Sequence, residues 1–363
     1  MSITPILLRD IEHGGASGQP AAIAMKLAEF IAGAQVKLHL AIYDFRLSDH
    51  LGGDVVRALR DRAAAGVDVK IAYDAGKPTA LATAAADFAA AAADPAPIGT
   101  EQFLQTAFAE SNVLLKAIHG QKLMHNKYIV RDGNTLAGAV WTGSTNFTDD
   151  AWTFQENNII IVESSELCVF YENDFNDLWS TGDIAGTGAG DYANVIVEGT
   201  RVEVNFSPAN GPKIDQRIAS IIGSARRRIR IASMLISSRG VIAALDDAID
   251  SAQVASFAGV YDKTQMQQTL DSWTQIRRTD WVDSFKHVAV GLATKVSIPY
   301  APDSKHNFMH DKIIVCDDLV LTGSFNFSRS ATFNAENILL IQDTALADRY
   351  ASYIDALIAT YRD

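Results

Sequence analysis

The chain repeats itself, and any fold it adopts must place two copies of one unit. Met124-His125-Asn126-Lys127 and Met309-His310-Asp311-Lys312 share one pattern, and each lysine is followed by four residues and an aspartate, Asp132 or Asp317. Downstream, Gly143-Ser144-Thr145-Asn146 matches Gly323-Ser324-Phe325-Asn326. Ten residues after each asparagine comes a Glu-Asn pair, Glu156-Asn157 and Glu336-Asn337, which opens an aliphatic run and then a helix-like stretch. The hairpin after Asp132 is longer than that after Asp317.

The upstream parts correspond more weakly. Helices are predicted at about 20–34 and 213–226, strands at Val36–Tyr43 and Ile229–Ile236, and further helices near 50–65 and 240–251. A strand ending in Tyr73-Asp74 or Tyr261-Asp262 follows. Each half therefore reads β-α-β, a variable insert, a run of strands and a closing helix. The expectation is an α/β fold of two similar halves, 1–185 and 186–363, each a mixed sheet flanked by helices, packed about a pseudo-twofold axis. The Gly- and Ala-rich segment Gly182–Asn194 reads as a linker. The first insert, around Leu81–Ala93, is alanine-rich and predicted helical. The second carries Trp273, Arg277, Arg278 and Trp281. Such inserts are natural walls for a cleft.

With 363 residues, 48% hydrophobic and 20% charged, the chain can build a large core without staples. Its two cysteines, Cys168 and Cys316, match no zinc or redox spacing and are expected to be buried thiols. No secretory signal and no membrane-spanning run is visible, which points to the cytoplasm. The net charge of -12 repels polyanions unless basic residues gather locally, as Arg226–Arg230 and Arg277-Arg278 can.

Residues i and i+2 of a strand share a face, so His125 points with Lys127 and His310 with Lys312. Asp132 and Asp317 fall on the opposite face, where they support the strand end. A Gly-Ser turn admits close backbone approach, and asparagine donates two hydrogen bonds. Two such sets around one point suit a phosphodiester. Lysines and asparagines hold the non-bridging oxygens, one histidine attacks phosphorus, and the other protonates the leaving oxygen. Glu156 and Glu336 are each placed to orient a histidine through its distal ring nitrogen. No carboxylate or cysteine sits at ligand spacing from His125 or His310, so neither metal nor cofactor is expected. His39 reads as a packed histidine, and His119 and His306 as candidate cleft residues.

These residues closely resemble the phospholipase D superfamily, marked by a duplicated His-x-Lys-x4-Asp motif followed by Gly-Ser-x-Asn. The resemblance rests on His125, Lys127, Asp132, Gly143, Ser144, Asn146 and Glu156. It rests equally on His310, Lys312, Asp317, Gly323, Ser324, Asn326 and Glu336. It implies two α/β halves with the site at their interface, a phosphohistidine intermediate and no required metal. It also implies that His125 is the nucleophile and His310 the acid. Because both motifs lie in one chain, a monomer can be active. The implied activity is hydrolysis or transphosphatidylation of a phospholipid-like diester, with peripheral membrane contact and no transmembrane segment. A nuclease acting on DNA or RNA is the alternative.

Overall fold

The aliphatic runs between the polar motifs form two mixed sheets in the computed structural model, which describes residues 2–76, 97–301 and 304–362. The first sheet contains β1 (Ile3–Leu8), β2 (Lys37–Ile42), β4 (Asp68–Asp74), β5 (Leu114–Ile118), β6 (Lys127–Arg131), β7 (Ala139–Gly143) and β9 (Asn157–Glu163), in the order β1-β9-β7-β6-β2-β4-β5. Two short strands, β3 (Phe45–Arg46) and β8 (Phe147–Thr148), pair separately. The second sheet contains β10 (Ala193–Val197), β11 (Thr200–Ser207), β12 (Ile229–Ser233), β13 (Phe257–Asp262), β14 (Leu292–Lys295), β15 (Lys312–Cys316), β16 (Leu319–Gly323) and β17 (Glu336–Gln342). Its order is β10-β11-β17-β16-β15-β12-β13-β14.

The two strand orders superimpose. β2-β4-β5 and β12-β13-β14 are parallel trios, as their helical crossovers require, and the other pairs within these two sheets are antiparallel. The repeated motifs did not disclose β1, β10 and β11. β1 and β11 pair with the equivalent strands β9 and β17, β1 as the sheet edge and β11 flanked in turn by β10, yet ITPILL and TRVEVNFS share no pattern.

Alternation along the strands sorts side chains into layers. Ile129, Trp141 and Ile159 face an outer core with helices Gln19–Ala32 and Asp49–Ala64. Tyr128, Val130 and Val140 face a central core that both halves share. That central layer contains the two closing helices, Ser165–Thr181 and Thr344–Tyr361, through Tyr171, Phe175, Tyr350 and Ile354. Their N-caps are Ser164 and Asp343, whose side chains accept from Leu167 N and Leu346 N. The other face of the second sheet is covered by helices Gly211–Ser224 and Arg239–Asp250.

The segment expected to be a linker is packed rather than free, with Asn210 Nδ2 donating to Gly188 O at 2.5 Å. The second insert forms helices Lys263–Gln275 and Thr279–Ala289. The helix expected around Leu81–Ala93 lies outside the described residues. Cys168 and Cys316 are buried, free thiols. No described helix is long and apolar enough to cross a membrane.

Candidate active site

β6 and β15 begin at the motif lysines, so each histidine sits in extended chain just before its strand. There the two halves exchange main-chain hydrogen bonds. His125 N donates to Ala335 O at 2.9 Å, and His310 N donates to Glu156 O at 3.0 Å. These matched contacts bring both motifs to one interface.

The ring partners also cross the interface. His125 Nδ1 lies 2.8 Å from Glu336 Oε2, whereas His310 Nδ1 lies 3.0 Å from Asn157 Oδ1. This corrects the expectation that Glu156 orients a histidine. The register explains it: Gly143 pairs with Ile159 and Gly323 with Ile338, so Asn157 is the counterpart of Glu336 and Glu156 that of Ala335. The first half has one more residue between its Gly-Ser turn and its strand. Glu156 is turned away to Lys295 Nζ, 2.5 Å from Oε2, and to the Tyr361 hydroxyl. Lys295 also reaches Asp10 at 3.0 Å, so one buried cation joins two buried carboxylates.

Lys127 and Lys312 are buried, and each Nζ donates to the main-chain oxygen of its own histidine, at 2.7 and 2.5 Å. Lys127 also lies over the Tyr43 ring at 4.9 Å, and that ring meets His125 edge-on at 4.8 Å. Burial brings the Lys127 ammonium down to about 7 and holds Lys312 well below its usual range, with Lys127 adding repulsion. Burial, then the two lysines, also pushes both imidazoles well below their ordinary value. The Glu336 carboxyl is pushed up to about 8, again by burial first. Every charge here is strained by desolvation, and an entering anion relieves the lysines.

Asn146 and Asn326 line the open cleft beside His125 and His310, and the side-chain oxygen of each is buried without a partner. The lysines are buried and do not line the open cleft. Gly143 and Gly323 adopt φ of 142° and 148°, and a Cβ would meet Asn158 O at 2.2 Å or Asn337 O at 2.4 Å. Ser144 Oγ donates to Asn157 Oδ1 at 2.7 Å, bracing the His310 partner, while Ser324 Oγ accepts from Asn337 N at 3.0 Å.

Asp132 and Asp317 lie at the far strand ends in left-handed conformation. Asp132 accepts from the main-chain N–H of Gln35, Val36 and Lys37, and Asp317 from Arg226, Arg227 and Arg228. They tie β6 and β15 to the starts of β2 and β12, away from the cleft.

The cleft has a volume of about 940 Å³ and contains both histidines. Trp273, Arg278 and Trp281 of the second insert form part of its wall; Arg277 does not. His306 lines it, stacked between Tyr300 and Phe308, while His119 lies elsewhere and His39 is buried between Glu172 and Asp68. Sequence reading missed Asn157, Lys295 and the residues beneath the motifs. Asn337 Nδ2 donates to Asn126 Oδ1 at 3.0 Å, and Asn158 Nδ2 to Asp311 Oδ1 at 2.9 Å. The variable position of each Met-His-x-Lys motif was the available signal. Among the described residues, Asp246, Asp250 and His287 approach one another closely enough to share a metal ion, and none of them lines the cleft.

Comparison with known proteins gives this geometry a context. A phospholipase D of Rickettsia bellii (strain RML369-C) is 29% identical over 153 residues, covering 42% of this chain and 66% of that protein. A phospholipase D of Rickettsia prowazekii (strain Madrid E) is 48% identical over 50 residues, 13% of this chain and 24% of its own length. The chain thus spans a little under two thirds of the first relative and about a quarter of the second. The crystal structure of phosphatidylserine synthase from Haemophilus influenzae Rd KW20 aligns with TM-score 0.64 and 15% identity, covering 97% of this chain and 88% of that one, which shows a shared fold. Residues 27–179 and 218–358, carrying both motifs, match the family described as cardiolipin synthase, PLD-like domain, and the chain belongs to that family within the phospholipase D superfamily.

Proposed function

We propose that the chain is a metal-independent phosphodiesterase acting through a phosphohistidine on His125, with phospholipid-type diesters as substrates. The observation that carries the division of labour is the unequal pairing of the histidines, carboxylate for His125 and carboxamide for His310.

A ring that takes a phosphoryl group on Nε2 becomes cationic. Glu336, accepting from Nδ1–H of His125, stabilises that charge. Asn157 offers His310 only a neutral acceptor, so a protonated His310 releases its Nε2 proton readily. In the first step His125 Nε2 bonds to phosphorus, the bond to the leaving oxygen breaks, and that oxygen takes the proton from His310. In the second, His310 accepts a proton from water or an alcohol, the resulting oxygen bonds to phosphorus, and the P–N bond breaks. Lys127 and Lys312 balance the charge on the non-bridging oxygens while Asn146 and Asn326 donate to them.

The lipid reading is supported by the fate of the basic run. Arg227 pairs with Asp318, Arg228 with Asp348 at 2.6 Å and Arg230 with Asp355 at 2.6 Å, and none lines the cleft. The wall instead carries Leu235, Trp273, Ile276 and Phe308.

The test pairs substrates with histidine variants. A phosphatidylcholine analogue should be cleaved at the head-group oxygen and plasmid DNA slowly or not at all. With a p-nitrophenyl diester, His310→Ala should give a burst and retain phosphohistidine at His125, whereas His125→Ala should give none. A phosphoryl group on His310 in His125→Ala would reverse the roles. Rapid DNA cleavage without lipid turnover would replace the substrate class.

A further inference from the structure

Four large apolar side chains remain exposed around one opening. Ile98 is 62% exposed, Ile276 62%, Tyr300 49% and Phe333 47%, and all four line the catalytic cleft. They come from four separate segments, so no single amphipathic element explains their convergence. Scattered exposed apolar groups need no explanation, but a ring of them at the mouth of a cleft does.

The charge at this mouth opposes that of the chain. Among the lining residues are four arginines and two aspartates, in a protein of net charge -12. Arg46 is spent on Asp44, which it meets with both Nε and Nη2. The other three are less committed. Arg239 and Arg278 lie over the Trp281 ring, at 5.6 and 4.9 Å, and Arg329 over Phe333 at 6.0 Å. The carboxylate nearest Arg239, that of Asp280, is 4.0 Å away. Two guanidinium groups thus share one indole, whose buried Nε1–H has no acceptor. Tryptophan, tyrosine and arginine beside exposed aliphatic groups match the chemistry of a bilayer interface, where apolar bodies enter the acyl boundary and polar ends meet phosphates.

We propose that the cleft mouth is a docking surface for an anionic lipid bilayer. Ile98, Ile276, Tyr300 and Phe333 enter the acyl boundary, and Arg239, Arg278 and Arg329 meet the headgroups. The proposal rests on the phospholipid reading of the site and adds the charge and physical state of the partner. The apolar ring drives insertion, and the arginines overcome the long-range repulsion of an acidic chain.

Flotation of the full chain with vesicles tests it. Equimolar phosphatidylcholine–phosphatidylglycerol vesicles should bind at least about tenfold more tightly than pure phosphatidylcholine, and high salt should erase the difference. Ile276→Ser with Phe333→Ser should weaken binding to the anionic vesicles by about tenfold or more. Arg239→Ala with Arg278→Ala should reduce it to the level of the neutral vesicles. If either pair fails to fold, wild-type tryptophan fluorescence provides an independent reading. Anionic vesicles carrying brominated acyl chains should quench it more than brominated neutral ones. Absent binding, equal binding to both vesicles, tighter binding to a short DNA duplex, or folded variants that bind unchanged would overturn the proposal. Cleavage of a monomeric short-chain phospholipid without vesicle binding would remove the docking surface and leave the proposed activity intact. Vesicle binding without phospholipid cleavage would do the reverse.

Discussion

His125 Nδ1 approaches the Glu336 carboxylate at 2.8 Å across the interface, while the equivalent nitrogen of His310 meets only the Asn157 carboxamide, at 3.0 Å. Glu336→Gln keeps the size and hydrogen-bonding capacity of the partner and removes the charge that this carboxyl, pushed up to about 8 by burial, takes on when the facing ring becomes cationic. It should slow phosphohistidine formation by about a hundredfold in pre-steady-state kinetics. Asn157→Glu should raise the His310 pKa and carry the alkaline limb of the rate profile to higher pH. A Gln variant within about threefold of wild type would remove Glu336 from the chemistry.

Anion binding should take up protons. Burial brings Lys127 to about 7 and Lys312 well below its usual range, and an anion favours the charged form of both. Sulfate, which does not titrate here, should therefore bind more tightly as pH falls through 7. The gain is at most about tenfold per pH unit for each proton taken up. Calorimetry in buffers of different ionisation enthalpy measures that uptake directly. Affinity independent of pH would mean that both lysines are already charged.

Chelation should leave diester hydrolysis within about twofold of the untreated rate, since in the proposed mechanism the lysines supply the charge, and the asparagines the hydrogen bonds, that a metal would replace. An enzyme silenced by EDTA and restored by a divalent cation would contradict the proposed mechanism.

Lys295→Met should destabilise the chain by about 3–5 kcal/mol, because it strands Asp10 and Glu156 as buried carboxylates without their cation. Equilibrium urea denaturation reads the loss. Adding Glu156→Gln should recover part of it. A single variant as stable as wild type would mean that water reaches the cluster.

The polar repeat made the architecture and the two histidine sets legible, because chemistry-bearing residues recur at the same spacing in both halves. One repeat misled. Glu156-Asn157 and Glu336-Asn337 invite alignment by identity, but strand register pairs Asn157 with Glu336. The first half winds Asp149–Thr153 into an α-helical turn where the second has only the shorter 3-10 turn Ser330–Thr332, and side-chain identity cannot report where a turn absorbs an extra residue. Lys295 was invisible for another reason. Its partners, Asp10 and Glu156, lie 285 and 139 residues away in sequence, so no local pattern announces the cluster. The rim was equally hidden, since Ile98, Ile276, Tyr300 and Phe333 meet only in the folded molecule.

The cross-half anchoring of the histidines also orders events in time. His125 is laid down 211 residues before Glu336 and takes its main-chain support from Ala335. A nascent or half-folded chain therefore has an imidazole with no orienting partner and no opposing acid. On the proposed mechanism competence arrives only with the last strand, so the activity stays silent throughout synthesis, and a single half released by proteolysis lacks one of the two histidines.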